Sequence, residues 1–333
     1  MIEFFLDYGL FLAKTVTIVV AIAAVILLSV GLASRKQADG KDSLEIKKLN
    51  KKYEDMAMAL NVNILDKDEF KKLQKQEKEK LKEEKKEKKV DARKKRIYVL
   101  NFHGDIRASA VASLREEITA VLTVATADDE VFVRLESSGG VVHGYGLAAS
   151  QLMRIRDKNI PLTVAVDKVA ASGGYMMACV GNRIIAAPFA IIGSIGVIAQ
   201  IPNFHKVLKK HDVEFDQFTA GEFKRTVTMF GENTKEAKSK FREEIEDIHL
   251  LFKDFISRHR PGLDIVKVST GESWPGTRAL EHLLVDELKT SDDYLLENSK
   301  QADLYEISYV SKKSLVERIG FQFQKLMDKW QYG

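Results

Sequence analysis

From residue 97 onward, short runs of β-branched and aromatic residues alternate with segments whose apolar residues recur at helical spacing. Residues 97–102 (IYVLNF) and 131–135 (VFVRL) are typical of strands, and residues 108–125 between them are typical of a helix. Residues 145–156 are again helical in pattern, and residues 161–166 are again strand-like. This alternation predicts an α/β architecture with mainly parallel strands.

Composition limits the classes that this chain can belong to. Its 333 residues are 45% hydrophobic, which suits one domain of catalytic size with appendages and excludes wholesale disorder. The lone Cys179 excludes an intramolecular disulfide. Residues 67–96 carry a net charge of +7, so the rest of the chain carries −3. The basic charge therefore belongs to one segment, and no nucleic-acid partner is expected.

The N-terminal region contains a membrane-span candidate. Residues 15–34 include no charged side chain and, as a helix, would rise about 30 Å, close to the thickness of the hydrocarbon core. The preceding residues are acidic (Glu3, Asp7), which favours a retained anchor over a cleaved signal peptide. We therefore predict a tail at 1–10 and a transmembrane helix at 11–34. More basic residues follow this span than precede it, which indicates a cytoplasmic location for the remainder.

A charged segment follows the predicted span. Within residues 67–96, many glutamates and lysines lie three or four positions apart, which predicts a solvated helix in a stalk spanning residues 35–96. Binding to anionic lipid head groups is the alternative interpretation. The globular domain is then expected at 97–300 and a C-terminal segment at 301–333. Residues 314–330 of that segment have the spacing of an amphipathic helix.

Two glycine-bearing turns are candidates for the functional site. One is the SSGG sequence at 137–140, directly after a strand, and the other is AASGGY at 170–175. Glycine pairs allow close backbone approach and leave N–H groups free to point at a ligand. A serine nucleophile beside such donors is the geometry that acyl transfer needs, which makes Ser172 a candidate. The alternative is that Ser172 only caps the following helix.

A serine nucleophile also needs a base. His143 lies near the first glycine turn in sequence and is one candidate. A lysine is the other, because burial disfavours the ammonium and leaves a free amine that can accept a proton. The residue pattern alone does not distinguish Lys224 from the many other lysines.

Five motifs occur together in this order: SSGGVV, AASGGYMMA, GSIGVIA, TAGEFKR and GTRALEHLLVDEL. This set resembles the signal peptide peptidase A family of membrane serine peptidases, and the layout resembles its SohB-type branch. The resemblance covers about residues 96–294. It implies a ClpP/crotonase-like fold of repeated ββα units behind a single-pass anchor in the bacterial inner membrane. Relatives commonly work on the periplasmic side, opposite to the side that the flanking charge indicates.

The resemblance also implies roles for individual residues. Ser172 matches the nucleophile, Lys224 the general base, and Ser194 the hydroxyl that orients the lysine amine. Gly140 and Gly173 match the positions whose N–H groups form the oxyanion hole. No metal or organic cofactor is implied.

The implied substrates are hydrophobic peptides, such as signal-peptide remnants or fragments of membrane proteins. Candidates for the groove lining are Val141, Val142, Ile195 and Val197. The implied assembly is a homo-oligomer in which neighbouring subunits supply the serine and the lysine of one site. Two other hypotheses share parts of this pattern, namely a crotonase-like enzyme acting on acyl-CoA thioesters and a non-catalytic membrane scaffold.

Overall fold

A computed structural model describes residues 9–22, 43–73, 75, 79 and 93–310. The chain forms two compact units, one of residues 46–308 and one of residues 1–45 with 309–333. In the latter, residues 9–22 are helical. No helix within the described ranges is both long enough and apolar enough to cross a membrane. Residues 23–34 of the predicted transmembrane helix lie outside those ranges, as does the predicted amphipathic helix at 314–330.

The main sheet has seven strands in the order β1-β10-β2-β3-β4-β6-β9. Each pairing from β10 through β9 is parallel. These strands are β1 (Ser43–Lys48), β2 (Arg96–His103), β3 (Glu130–Glu136), β4 (Leu162–Val166), β6 (Arg183–Ala186), β9 (Glu287–Leu288) and β10 (Asp303–Val310). The predicted α/β architecture with mainly parallel strands is confirmed.

A smaller sheet has the strand order β5-β7-β8, in which β5 and β7 pair in parallel and β7 and β8 antiparallel. Its strands are β5 (Val169–Ala171), β7 (Ile191–Gly193) and β8 (Ser273–Pro275). The labelled helices are α1 (Leu49–Ile64), α2 (Val111–Leu122), α3 (Val142–Arg156), α4 (Gly173–Ala178), α5 (His205–Lys210), α6 (Lys235–His259), α7 (Ile265–Val268), α8 (Gly276–Glu281) and α9 (Ser291–Asn298).

The main sheet is buried on both faces. Along β2, Leu100 and Phe102 belong to the larger hydrophobic cluster, whereas Ile97 and Val99 belong to a second one. Because neighbouring side chains of a strand point to opposite faces, the two clusters cover the two sides of the sheet. Cys179 lies fully buried in the larger cluster, and burial raises the pKa of its thiol. It is therefore a core residue and is unsuited to act as a nucleophile.

The compact unit begins earlier than the predicted domain start at residue 97. Leu49 is buried in the second cluster. The Asn50 amide donates to the carbonyls of Ser299 and Ala302, at 2.8 and 2.9 Å, and its oxygen accepts from the N–H of Leu304 at 2.8 Å. Residues 46–50 of the predicted stalk are thus part of the folded body, because a buried amide joins them to the C-terminal end of the domain. At that end the body extends to 308 instead of 300.

The last residues of the predicted stalk are also held by the body. The Arg93 guanidinium lies 2.7 Å from a carboxylate oxygen of Asp129, and Arg96 contacts both oxygens of the same carboxylate at 3.1 and 2.7 Å. Lys95 forms a 2.6 Å ion pair with Glu130, which is also buried. These contacts fix the chain where it enters β2.

Candidate active site

Ser172 occupies a sharp turn between β5 and α4. Its N–H donates to the Gly193 carbonyl at 2.8 Å, and its φ of +52° lies in the left-handed region that L-residues with side chains rarely adopt. Strain of this kind persists only where neighbouring structure enforces it, and it is concentrated at functional sites. The Ser172 side chain makes no capping hydrogen bond with α4. The capping interpretation is therefore wrong, and the hydroxyl is available for another role.

The SSGG turn packs directly against Ser172. The Ser137 N–H donates to the Val169 carbonyl and the Ser137 carbonyl accepts from Ala171, at 2.9 and 3.0 Å, which attaches the turn to β5. Gly139 has a φ of +89°, and a Cβ there would lie 2.8 Å from the Ser172 Cβ. Only glycine permits this approach, so the two glycine turns meet, which fits the joint role that the resemblance implies for them.

A buried tyrosine holds the SSGG turn through hydrogen bonds. Tyr145 on α3 donates its hydroxyl proton to the Asp105 carbonyl at 2.7 Å. It must then accept the 2.6 Å hydrogen bond from Ser137, whose hydroxyl in turn accepts from the Gly139 N–H at 3.0 Å. Burial raises the pKa of Tyr145, which keeps the donating phenol protonated. Sequence reasoning missed this residue, because no local pattern links Tyr145 to Asp105 or to the turn.

Two residues that line the cavity beside Ser172 have unpaired backbone donors. Within the described part of the chain, the N–H groups of Gly140 and Gly173 make no hydrogen bond. Gly173 is the first residue of α4, so its N–H has no intrahelical partner. Gly140, Gly173 and Ser172 all line one cavity of about 430 Å³. A hydroxyl in this position can attack a carbonyl, and the two unpaired N–H donors beside it can stabilise the oxyanion that results.

Alanine at either donor position is expected to damage the site. A Cβ at residue 140 would overlap the Ile106 carbonyl oxygen, and one at residue 173 would overlap the ring of Tyr145. If the two N–H groups stabilise an oxyanion, Gly140→Ala and Gly173→Ala should each lower the rate of acyl transfer at Ser172 by about 10²-fold or more, because a displaced donor no longer reaches that oxyanion. Gly262→Ala is the control, since a Cβ there meets no atom within 4 Å. Full activity in Gly140→Ala, measured beside its thermal melt, would contradict the assignment.

Ser194 directly follows strand β7, and Ser172 directly follows the neighbouring strand β5. Ala171 and Gly193 are partners in the parallel register of β5 and β7, so the residues that follow them emerge at the same edge. Strands paired in this way lie about 4.8 Å apart. Ser194 also has a positive φ of +50°, and its N–H donates to the Glu272 carbonyl at 2.6 Å. The structure thus brings the backbones of both serines together.

Lys224 lies elsewhere in the single chain. It is exposed, in an irregular segment between α5 and α6, and it is not among the residues that line the cavity. His143 is exposed and does not line the cavity either. Within one copy of the chain, neither candidate base lines the cavity that contains Ser172. Across the described ranges, no cluster of three His, Cys, Asp or Glu residues could hold a metal ion.

Two of the four candidate groove residues line the cavity and two do not. Val142 and Val197 line the cavity. Val141 is half-buried and does not line it, and Ile195 is fully buried in the core, so neither is part of the cavity wall. One wall that sequence reasoning missed comes from α6, through Ile248, Leu251, Phe252 and Phe255. Their spacing of three and four residues predicts one shared apolar face of a helix, but it does not predict that this face lies beside Ser172.

Comparison with known proteins identifies the class that this fold and site represent. The family model "Peptidase family S49 N-terminal" matches residues 3–152, and "Peptidase family S49" matches residues 154–305. Since these two models cover most of the chain, it belongs to peptidase family S49. It is a serine-type peptidase.

Individual relatives identify the type within that family. The chain is 51% identical to "Probable protease SohB" of Haemophilus influenzae over 327 residues, covering 96% of this chain and 92% of the relative. A protein of the same name from Buchnera aphidicola is 49% identical, covering 88% of this chain and 99% of that one. The chain is thus a peptidase of SohB type. A solved "1510-N membrane-bound stomatin-specific protease" is 16% identical with a TM-score of 0.44, covering 68% and 99% of the two chains.

Proposed function

We propose that this chain is a membrane-anchored endopeptidase that hydrolyses hydrophobic peptides through a Ser172–Lys224 dyad on a ClpP/crotonase-like domain. The observation that carries the proposal is the cavity that Ser172 shares with the unpaired N–H groups of Gly140 and Gly173. The substrates are signal-peptide remnants or fragments of membrane proteins. The test is covalent labelling of Ser172 by a serine-acylating probe, combined with hydrolysis of a hydrophobic peptide.

The proposed mechanism is acyl transfer. The uncharged amine of Lys224 takes the Ser172 proton while the hydroxyl oxygen attacks the peptide carbonyl, and the N–H groups of Gly140 and Gly173 hold the oxyanion. Lys224 then gives the proton to the leaving amine. Water, deprotonated by the same amine, hydrolyses the acyl-enzyme and releases Ser172. Ser194 accepts or donates a hydrogen bond that orients the lysine amine.

A homo-oligomer completes the proposed site. Because Lys224 does not line the cavity of its own chain, the proposal assigns the lysine of each site to a neighbouring copy. The segment that carries Lys224 is rich in exposed apolar side chains: Phe218 is 93% exposed and Phe223 is 54% exposed. Water-exposed phenyl groups beside a catalytic residue favour contact with another protein surface. This supports an interface between copies that delivers the lysine.

The apolar substrate and the anchor rest on separate observations. None of the described residues that line the cavity is charged, which favours apolar peptide side chains over acidic or basic ones. The anchor rests on the uncharged residues 15–34, and the lipid bilayer is then the second partner. Flanking charge and family resemblance predict opposite sides of the inner membrane. Protease treatment of intact spheroplasts distinguishes these two orientations.

Hydrolysis should increase as the pH rises from neutral into the alkaline range. An amine accepts a proton only in its uncharged form, so a reaction that uses a lysine base is favoured by alkaline conditions. The measurement is kcat/KM for one peptide across the pH range in which the thermal melt shows a folded protein. A profile that is flat from acid to alkaline pH would contradict a lysine base.

A further inference from the structure

Two helices contribute to the lining of the cavity beside Ser172. Helix α3 presents Val142, Gly146 and Ser150, which lie four residues apart and therefore on one face of the helix. Helix α6 presents large side chains, among them Leu251 and Phe255. Helix α3 also contributes Tyr145 to the lining. The part of the cavity between these residues, here called the slot, is thus lined by bulky residues of α6 and by an α3 face on which Gly146 has no side chain and Ser150 has a small one.

Gly146 is not required by the fold. It lies in the middle of α3, where glycine costs about 1 kcal/mol relative to alanine. A Cβ at this position would meet no atom within 4 Å, and its φ is not in the left-handed region. Gly144, two residues earlier, is different, because a Cβ there would lie 2.9 Å from the Arg107 carbonyl oxygen. Packing therefore explains Gly144, whereas Gly146 lines the cavity and has open space where a side chain would begin.

Ser150, one turn further along α3, leaves that space apolar in character. Its hydroxyl donates to the Gly146 carbonyl at 2.8 Å, so the proton is used within the helix and is not offered to the cavity. The facing residues of α6 are hydrocarbon or aromatic. A substrate side chain in this space would contact the apolar side chains of α6 and the surface of α3 at Gly146. The space fits a large apolar group and disfavours a charged one.

We propose that Gly146 is a specificity-determining residue, whose missing side chain admits a large apolar side chain of the substrate. Ser172 lines the same cavity and attacks the carbonyl of the residue on the amino side of the cleaved bond, so we assign the slot to the side chain of that residue. The preferred substrates are then peptides cleaved after residues of the size of leucine, methionine or phenylalanine. This inference rests on the proposed function of Ser172.

The test compares peptides that differ only at that one residue, which is alanine, leucine or phenylalanine. Gly146→Leu fills the slot and should lower the ratio of kcat/KM for the phenylalanine peptide to that for the alanine peptide by roughly ten- to a hundredfold. Gly146→Ala should lower the same ratio less. Because alanine favours the helix, the melting temperature of Gly146→Ala should not fall. A lower kcat/KM ratio in Gly146→Ala, together with an unreduced melting temperature, is a result that a merely structural role of Gly146 would not give.

Gly262→Leu is the matched control, since that glycine also has open space around it but does not line the cavity. It should leave the ratio at its original value. An unchanged ratio in Gly146→Leu overturns the role of Gly146, provided that cleavage depends on Ser172. Cleavage that survives Ser172→Ala, or no cleavage of any of the three peptides by the unaltered protein, overturns the proposed function together with this inference.

Discussion

Ser172→Ala is expected to reduce peptide hydrolysis to the background rate, a loss on the order of 10³- to 10⁶-fold, while the protein stays folded. Removing the hydroxyl takes away the nucleophile, and the cavity offers no replacement. The Ser150 hydroxyl donates its proton to the Gly146 carbonyl of its own helix. Cys179 is buried in the core, and burial raises the pKa of its thiol. The measurement is steady-state hydrolysis of a hydrophobic peptide, together with labelling by a serine-acylating probe.

The fold of Ser172→Ala should be retained because the hydroxyl makes no capping hydrogen bond. A thermal melt followed by circular dichroism checks this. Ser138→Ala is the matched control: Ser138 is an exposed serine of the adjacent glycine turn, and its loss should leave both labelling and hydrolysis in place. Persistent labelling of Ser172→Ala would show that another residue is the nucleophile.

The strands and the two glycine turns were predictable because their signals are local. The runs 97–102 and 131–135 correspond to β2 (Arg96–His103) and β3 (Glu130–Glu136), each within one residue at either end. Helix α3 begins at Val142, three residues before the predicted start. The reason is a long-range one, since the N–H of the preceding residue donates to the Ile106 carbonyl at 2.8 Å and fixes the turn.

The supporting parts of the site were not predictable from sequence patterns. Tyr145 acts through Asp105 and Ser137, and the wall from α6 reaches Ser172 only in the folded chain. The same holds for Asn50, whose partners lie about 250 positions further along the chain. Periodicity reports which face of an element is apolar, but it does not report which distant element covers that face.

Mixing two inactive variants, Ser172→Ala and Lys224→Ala, is expected to restore hydrolysis. In a homo-oligomer with shared sites, a working site needs the serine of one subunit and the lysine of its neighbour. After random exchange of subunits, about a quarter of the sites combine both intact residues, so about a quarter of the original activity should return. Each variant alone should be inactive. The measurement is peptide hydrolysis after exchange, with mixed oligomers detected by native mass spectrometry.

The geometry of the single chain is the reason to expect this recovery. Lys224 is exposed and does not line the cavity that contains Ser172, Gly140 and Gly173. If the lysine of the same chain moved into the cavity, mixing the variants would create no new site and no activity would return. The control mixes Ser172→Ala with a double variant that carries both Ser172→Ala and Lys224→Ala. No subunit in this mixture has an intact Ser172. Recovery in the first mixture but not in the control therefore requires that the serine and the lysine of one site come from different copies.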